Sequence, residues 1–411
     1  MKWVLESDGI AMASQEESDV VVVNTCTVKT PTAQKILHAI ERLESSGKRV
    51  VVTGCMASAN QALIESRAPK ASIVTTSNIS SITRAVLEAA NGRKTVINGH
   101  DRKDKLVMFD HDGAVIAKVP VSEGCLSSCG FCETKFARGP LNSFSEDLIV
   151  NAVSISARRG AKEIQLTSQD TGAYGIDRKT DIARLMGRLS AIDGDFKIRV
   201  GMLNPEHLGR YLDGLINAMQ SDRFYKFIHL PVQSGSNRVL QAMKRMYTIE
   251  QFDEYAARLR DGVPGITIET DIIVGYPTET WQDFGETLDF VERTKPNVVN
   301  MCRFWARPHA PASKLPQLPD SVITERSSAL ARVVRRTQQR LNDTFVGKEL
   351  NVLVTEEEER SFNARTDNYK KVIIKKGASN ASLGLRVKAR IDLASCNVLY
   401  GIPVQTLTAV V

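Results

Sequence analysis

The sequence predicts an α/β protein in three consecutive parts, and three observations carry that reading. Val-rich runs alternate with helical patterns before residue 91. The alternation restarts near residue 115 and continues through six strand–helix units. From 346 to 411 the pattern changes to short β-like runs. Unbroken apolar strands separated by helices mark a parallel sheet buried on both faces, because a sheet with one wet face alternates apolar with polar instead.

Taken in order, the first part reads as strand "DVVVVNT", helix "TAQKILHAIERLES", strand "KRVVVTG" and helix "ANQALIESR", then strand "ASIVTT" and helix "SSITRAVLEAAN". Residues 91 to 113, with "NGRKTVINGHDRKDK", read as a polar linker. The second part offers strands at "AVIAKVPV", "EIQLTS", "KIRVGML", "FIHLPVQ", "ITIETDIIVG" and "VVNMCRFW". Helical patterns such as "SEDLIVNAVSISARRG", "DIARLMGRLSAI" and "TWQDFGETLDFVERT" lie between them. Six such units suit a partial or full barrel, or a doubly wound sheet, and periodicity does not choose among these. A basic helix, 324 to 345, is expected to pack between domains with its Arg face solvated. The runs "ELNVLVTE", "YKKVIIKK", "LRVKARIDLA" and "IPVQTLTAVV" then read as a small β-barrel.

Composition excludes some classes. No run approaches the roughly 18 apolar residues of a membrane span, so no membrane partner is expected. The start "MKWVLESDGIAMASQEES" lacks a basic stretch followed by an apolar one. No secretory signal is visible, and a cytoplasmic location is expected, where disulfides are rare. A net charge of +7 suits a polyanionic partner.

The cysteines carry the chemistry. "EGCLSSCGFC" places Cys125, Cys129 and Cys132 in a loop after a predicted strand, at the strand edge where parallel α/β folds hold their sites. Structural zinc needs four ligands; no fourth Cys lies near, and the closest His, His111, belongs to the linker. A non-catalytic RNA-binding protein with a zinc knot is therefore the competing reading. Three thiolates can instead hold three irons of a 4Fe–4S cluster and leave the fourth open for a ligand. Cys26 ends "VVVVNTC" and Cys55 ends "VVVTGC", both just past the ends of parallel strands. Alone they read as buried cysteines, as Cys302 and Cys396 do.

The C-x3-C-x2-C spacing resembles the radical S-adenosylmethionine enzymes. Together "VVVNTCTV", "VVTGCMA", "GCLSSCGFCETKFARG", "LTSQDTGAYG", "LPVQSGSNRVLQAMKRMYT", "TDIIVGYPTET" and "FWARPHAPAS" resemble the methylthiotransferases within that superfamily. The resemblance implies a Rossmann-like auxiliary-cluster domain over 1–95, a radical (β/α) barrel over 113–340, and an RNA-binding TRAM barrel over 346–411. It implies two 4Fe–4S clusters, one on Cys125, Cys129 and Cys132 and one on Cys26 and Cys55. The family pattern has a third auxiliary cysteine after an earlier strand. The domain over 1–95 is thus expected to lack its first strand and the auxiliary cluster to be incomplete in this chain.

Of the family's branches, "TSQDTGAYG", "RVGMLNP" and the cysteine loop look most like the archaeal and eukaryotic one. That branch methylthiolates C2 of N6-threonylcarbamoyladenosine at position 37 of tRNA. Rival branches act on isopentenyladenosine or on an aspartate of a ribosomal protein. The implied partners are tRNA, not DNA, and an electron donor such as a ferredoxin or flavodoxin. By the same analogy Phe131 lies beside the adenine of S-adenosylmethionine, and Ser168, Gln169 and Gln233 line the strand ends. Ten Lys/Arg against seven Asp/Glu from 346 onward, with basic and apolar residues alternating in "YKKVIIKK" and "LRVKAR", are expected to form one solvated basic face.

Overall fold

A computed structural model describes residues 1–26, 30–99, 106, 109–377 and 381–407. The expected linker therefore lies partly outside the described residues. The chain divides into two compact units. The first comprises Met1–Asp110, Glu123–Asn142 and Trp305–Ser313, and the second comprises His111–Ser122, Ser143–Phe304 and Lys314–Val411.

In the first unit, β1 (Val20–Thr25), β2 (Arg49–Gly54), β3 (Ser72–Val74) and β4 (Val96–Ile97) form one parallel sheet in that order. The Val-rich runs follow from its two covered faces. Val50 and Val52 pack with Leu37, Ile40 and Ile64 on one side, while Val51 packs with Leu5, Ile82 and Val86 on the other. Strand β4 falls inside the expected linker. Two residues are too few for a period to register.

In the second unit, β5 (Ile116–Pro120) ends just before β6 (Ser122–Glu123), which pairs with β7 (Asn142–Ser143) around the cysteine-bearing segment. Then come β8 (Glu163–Thr167), β9 (Lys197–Arg199), β10 (Phe227–His229), β11 (Thr267–Val274) and β12 (Val298–Arg303). All four strand pairs are parallel, in the orders β5-β8-β9 and β10-β11-β12, and a bridge from Ile198 to Phe224 joins the two sheets. Strands in chain order curving around one axis make a partial (β/α) barrel, not a doubly wound sheet. Its helices are stopped and started locally: Thr248 and Thr280 each close a capping box, with Gln251 and Asp283 respectively.

The last five strands are β13 (Glu349–Glu357), β14 (Ser361–Thr366), β15 (Lys371–Lys375), β16 (Arg386–Ala394) and β17 (Leu399–Leu407), closed in the order β13-β14-β15-β17-β16. Strand β14, "SFNART", went unread because its buried positions include Asn363 and Thr366. The Asn363 amide donates to Glu358 at 2.7 Å, so a polar residue sits where the pattern requires an apolar one.

Two expectations for this region hold only in part. The long helix Asp320–Asp343 does pack against β11, β12 and β16 and keeps Arg332, Arg335, Arg336 and Arg340 exposed, while its Arg326 is buried and paired with Glu279 at 2.7 Å. The basic strands do not give an open basic face. Lys371, Lys376, Lys388 and Arg390 pair with Glu358, Glu357, Glu349 and Asp392, and Arg386 with Asp195.

"YKK" itself points inward, onto the N-terminal end of the (β/α) barrel. Tyr369 Oη donates to Glu163 Oε1 at 2.7 Å, Tyr225 Oη to Glu163 Oε2 at 3.1 Å, and Lys197 pairs with Asp367 at 3.0 Å. Lys370 Nζ donates to Asn342 Oδ1 at 2.9 Å and Asn297 O at 3.2 Å. The small barrel thus plugs the floor of the large one.

Burial depresses Lys370 to about 8 from 10.5. Between those values the unfolded chain holds a proton that the folded chain does not, so this residue's contribution to stability rises with pH there and is lost as pH falls through about 8. The unfolding free energy of the wild type relative to Lys370→Met should therefore grow by on the order of 2–3 kcal/mol from pH 8 to 10.5, measured by denaturant titration.

Candidate active site

Strand polarity decides where the N-terminal thiols emerge. β1 and β2 pair from Val20 opposite Arg49 to Thr25 opposite Gly54, and Cys26 and Cys55 are the next residues of each. Both leave the same edge of the sheet. Gly54 permits the turn: its φ is +95°, and a Cβ there would lie 2.3 Å from Thr25 O. Only glycine lets β2 pass so close to β1 before the short helix Cys55–Ala59. Thr25 Oγ1 accepts the Met56 N–H at 3.1 Å and holds that helix start to β1.

The central loop uses the same device. Gly124 has φ +73°, and a Cβ there would lie 2.0 Å from Pro140 O. Cys125 N donates to Gly139 O at 3.2 Å, and Cys132 N donates to Cys129 O at 3.2 Å. Thr134 N donates to Cys132 Sγ at 3.3 Å. Lys135 Nζ folds back onto Leu126 O at 2.8 Å and Ser128 Oγ at 3.2 Å, and Ala312 N reaches Gly130 O at 2.9 Å. The loop is held by its own backbone and by one cationic tether.

Cys26, Cys55, Cys125, Cys129 and Cys132 all fall in the first unit, half-buried and unbridged. Two arginines tie them together. Arg138 Nε donates to Cys55 Sγ at 3.2 Å, and its other arm lies 3.9 Å from Glu123. Arg307 is buried, which pushes its guanidinium down, while the charges of Glu133, Cys26 and Cys132 act the other way. Burial likewise pushes the Cys132 thiol up, against its hydrogen bonds with Thr134. Phe131 is half-buried in the turn beside Cys132. Phe136 stacks on His309 at 3.8 Å, and His309 Nε2 donates to Ala59 O at 2.7 Å. Arg138, Arg307 and His309 stand in "FARG" and "FWARPHAPAS". Nothing in their spacing marks them as neighbours of the thiols, which is why the sequence reading passed over them.

The second unit holds the strand-end residues. Ser168 Oγ lies 3.3 Å from Thr171 Oγ1, and Gln169 Oε1 is buried with no hydrogen-bond partner among the described residues. Gln233 has φ +70°, a left-handed conformation that costs a side-chain-bearing residue roughly 1–2 kcal/mol. Two backbone bonds to β11 impose it: Gln233 N to Asp271 O at 2.8 Å and Ile273 N to Gln233 O at 2.9 Å. Strain over-determined by its surroundings is typical of a site.

Beneath these lies a layer that the sequence reading missed. Asp170 Oδ1 accepts the N–H of Gly172 at 2.9 Å and of Asn204 at 3.0 Å. Its Oδ2 lies 3.5 Å from His207 Nε2, near enough to attract without a formed hydrogen bond. Burial pushes the Asp170 carboxyl up, and His207 acts against that. Arg245 donates to Asn204 Oδ1 at 2.6 Å. The Asp of "SQDT" and the Asn of "MLNP" stand over thirty residues apart in sequence, so only the fold shows them as partners.

Comparison with known proteins agrees with this architecture. Residues 119–291 match the model of the Radical SAM superfamily, residues 1–76 that of the Uncharacterized protein family UPF0004, and residues 343–404 the TRAM domain. The fold resembles that of TsrM, a radical S-adenosylmethionine methyltransferase from Kitasatospora setae solved with cobalamin and a [4Fe-4S] cluster. The TM-score is 0.56 at 12% identity, over 75% of this chain and 72% of that one. Fold and family model together define a radical SAM protein.

The sequence narrows it further. The chain is 40% identical over 380 residues to a probable threonylcarbamoyladenosine tRNA methylthiotransferase of Pyrococcus horikoshii, covering 91% of this chain and 89% of that one. For the Archaeoglobus fulgidus relative of the same name the figures are 40% over 385 residues, 92% and 89%. For the Homo sapiens threonylcarbamoyladenosine tRNA methylthiotransferase they are 34% over 422 residues, 97% and 72%. The chain belongs to the family of threonylcarbamoyladenosine tRNA methylthiotransferases.

The two loop glycines separate by environment. Gly124→Ala must displace the Pro140 carbonyl, whereas Gly139→Ala, at φ +80°, meets nothing within 4 Å. Gly139→Ala should cost about 1 kcal/mol of stability and Gly124→Ala about 3 kcal/mol. Denaturant unfolding measures both, and alkylation of Cys125 should quicken only in Gly124→Ala.

Proposed function

We propose that this chain methylthiolates C2 of N6-threonylcarbamoyladenosine at position 37 of tRNA, in the cytoplasm, with a ferredoxin or flavodoxin as electron donor. The observation that carries the reading is the gathering of two strand-end thiols and a three-cysteine loop in one unit, with Arg138 of that loop bonded to Cys55.

The donor set fits iron–sulfur clusters. Soft thiols, an amide N–H on Cys132 Sγ and a guanidinium on Cys55 Sγ are the kind of hydrogen bonding that tunes cluster sulfur. Cys125, Cys129 and Cys132 would hold one 4Fe–4S cluster, and Cys26 and Cys55 are the ligands this chain offers to a second. When bound, the first supplies an open iron and an electron for reductive cleavage of S-adenosylmethionine, giving a radical able to take hydrogen from an adenine C–H that no side-chain base could deprotonate.

The chain's own residues hold and shield. The Phe131 ring offers an apolar face for an adenine. Ser168, Gln169 with its unpartnered oxygen, and Gln233 in its imposed conformation offer polar contacts at the strand ends. Arg307, buried against Cys26 and Cys132, supplies positive charge where anionic clusters would sit.

For tRNA, the small barrel offers an apolar face in place of the expected basic one. Leu393, Tyr400, Ile402 and Val404 are exposed side by side on β16 and β17, flanked by Lys388 and Arg390. An exposed aromatic in an apolar patch suits base stacking, which needs no free cation because every base has a π-face. Tyr400→Ala should weaken tRNA binding roughly tenfold in filter or anisotropy assays without changing the thermal midpoint.

The reaction is tested by nucleoside analysis of tRNA from cells with and without the gene. The 2-methylthio derivative of threonylcarbamoyladenosine should be present only with it, and its presence in both would overturn the proposal. After anaerobic reconstitution, Cys129→Ala should lose about four irons and all 5′-deoxyadenosine formation. Continued cleavage by that variant would sink the ligand assignment.

A further inference from the structure

The interior of the (β/α) barrel is polar and divided by charge. Strand alternation sends Ala117, Val119, Ile164, Leu166, Ile198, Ile228, Ile268 and Ile272 toward the helices, all fully or nearly fully buried. Lys118, Gln165, Arg199, His229, Glu269 and Asp271, at the alternate positions, face the lumen and keep some solvent access. Register aligns three of these across neighbouring strands: Lys118 opposite Gln165, and Gln165 opposite Arg199. Adjacent strands lie about 4.8 Å apart, so the two cations stand roughly 10 Å apart with an amide between them. Across the other sheet, His229 stands opposite Glu269, and Asp271 opposite Asn300. His229 Nε2 is 3.0 Å from Asp271 Oδ2, and the Asn300 amide donates to Glu269 at 2.6 Å and Asp271 at 2.9 Å.

One wall therefore carries Lys118 and Arg199, with the carboxylate of Glu163 at its floor taken up by Tyr225, Tyr369 and Gln165, the other wall is acidic, and the two are not equally satisfied. The acidic wall is tied up internally by His229 and Asn300. Among the described residues neither Lys118 nor Arg199 makes an ion pair. Arg199 is nonetheless held in place, its guanidinium 4.9 Å from the Phe227 ring centre and 5.3 Å from that of Tyr369. Stacking fixes its plane and leaves its N–H groups for another acceptor. A cation pre-positioned without a carboxylate, in a lumen whose opposite wall repels anions, is built to receive an anionic group.

We propose that Lys118 and Arg199 bind the carboxylate of the substrate base's N6 substituent, and that the Glu269/Asp271 wall faces that substituent's hydroxyl and N–H donors. This rests on the reading of the substrate as threonylcarbamoyladenosine. It adds how the chain rejects an adenine with an uncharged N6 group. An isoprenoid substituent would leave two cations desolvated without a partner and two carboxylates facing hydrocarbon, an unfavourable exchange on both walls.

The test uses the full-length protein and two synthetic nucleosides, N6-threonylcarbamoyladenosine and its carboxamide, which keeps the shape and removes the charge. Calorimetric titration of the wild type should favour the carboxylate by roughly tenfold to a hundredfold, the worth of one or two charge-assisted hydrogen bonds. Lys118→Gln and Arg199→Gln should each reduce that preference, and Arg199→Lys should recover part of it. Lys118 is exposed, so its variant keeps the test open if Arg199→Gln folds poorly. Equal binding of the two nucleosides by the wild type, or an undiminished preference in both Gln variants, overturns the proposal. Failure of the parent reading registers separately, as tRNA from gene-positive cells lacking the methylthio group while the carboxylate preference persists.

Discussion

Parallel strands end together, and most of what this chain offers as chemistry depends on that one constraint. In the first unit it sets Cys26 beside Cys55, because Thr25 and Gly54 are register partners and each thiol is simply the next residue. In the second it collects Ser168, Gln169, Asp170, Asn204 and Gln233 at one end of the (β/α) barrel, although they are scattered over more than sixty positions of sequence. Where two chains must cross at close range, at Gly54 and Gly124, the side chain is dispensed with and the backbone conformation follows.

The other end of the (β/α) barrel is governed by a different interaction. Glu163 is fully buried and accepts hydroxyls from Tyr225 and Tyr369, one from each partner in the docking. A buried carboxylate left alone would be costly, so the small barrel and the large one complete each other's polar groups. Lys370 does the same with Asn297 and Asn342. Such an interface is specified by geometry instead of by area alone, since Tyr225, Tyr369 and Lys370 each donate to a defined acceptor.

Much of this could be read from the chain, and the misses have physical causes. The Val runs, the six repeated units and the cysteine spacings are periodic or local, so they survive in one dimension. β14 was missed because Asn363 is buried with hydrogen-bond partners that lie on another strand. The solvated basic face was expected from alternation in "YKKVIIKK", yet alternation reports sidedness and not pairing. The acids that neutralise those lysines come from β13 and the turn after it. Arg138 and Arg307 were invisible for a third reason: their meaning lies in proximity to residues over eighty positions away. Sequence patterns carried the frame and its thiols, whereas charge partners required three dimensions.

The plugged floor also acts as a gauge. β11 runs eight residues from the end that the small barrel closes to the end that carries the strand-end residues, about 26 Å of backbone. The exposed face around Tyr400 belongs to the module at the closed end, whereas the lumen opens at the other. A single nucleoside can occupy one of these places and not both. Only a polymer with a rigid span of at least that height can touch the two at once. The reach of the ligand is thereby selected before any of its atoms are, with the distance stored in the length of the strands.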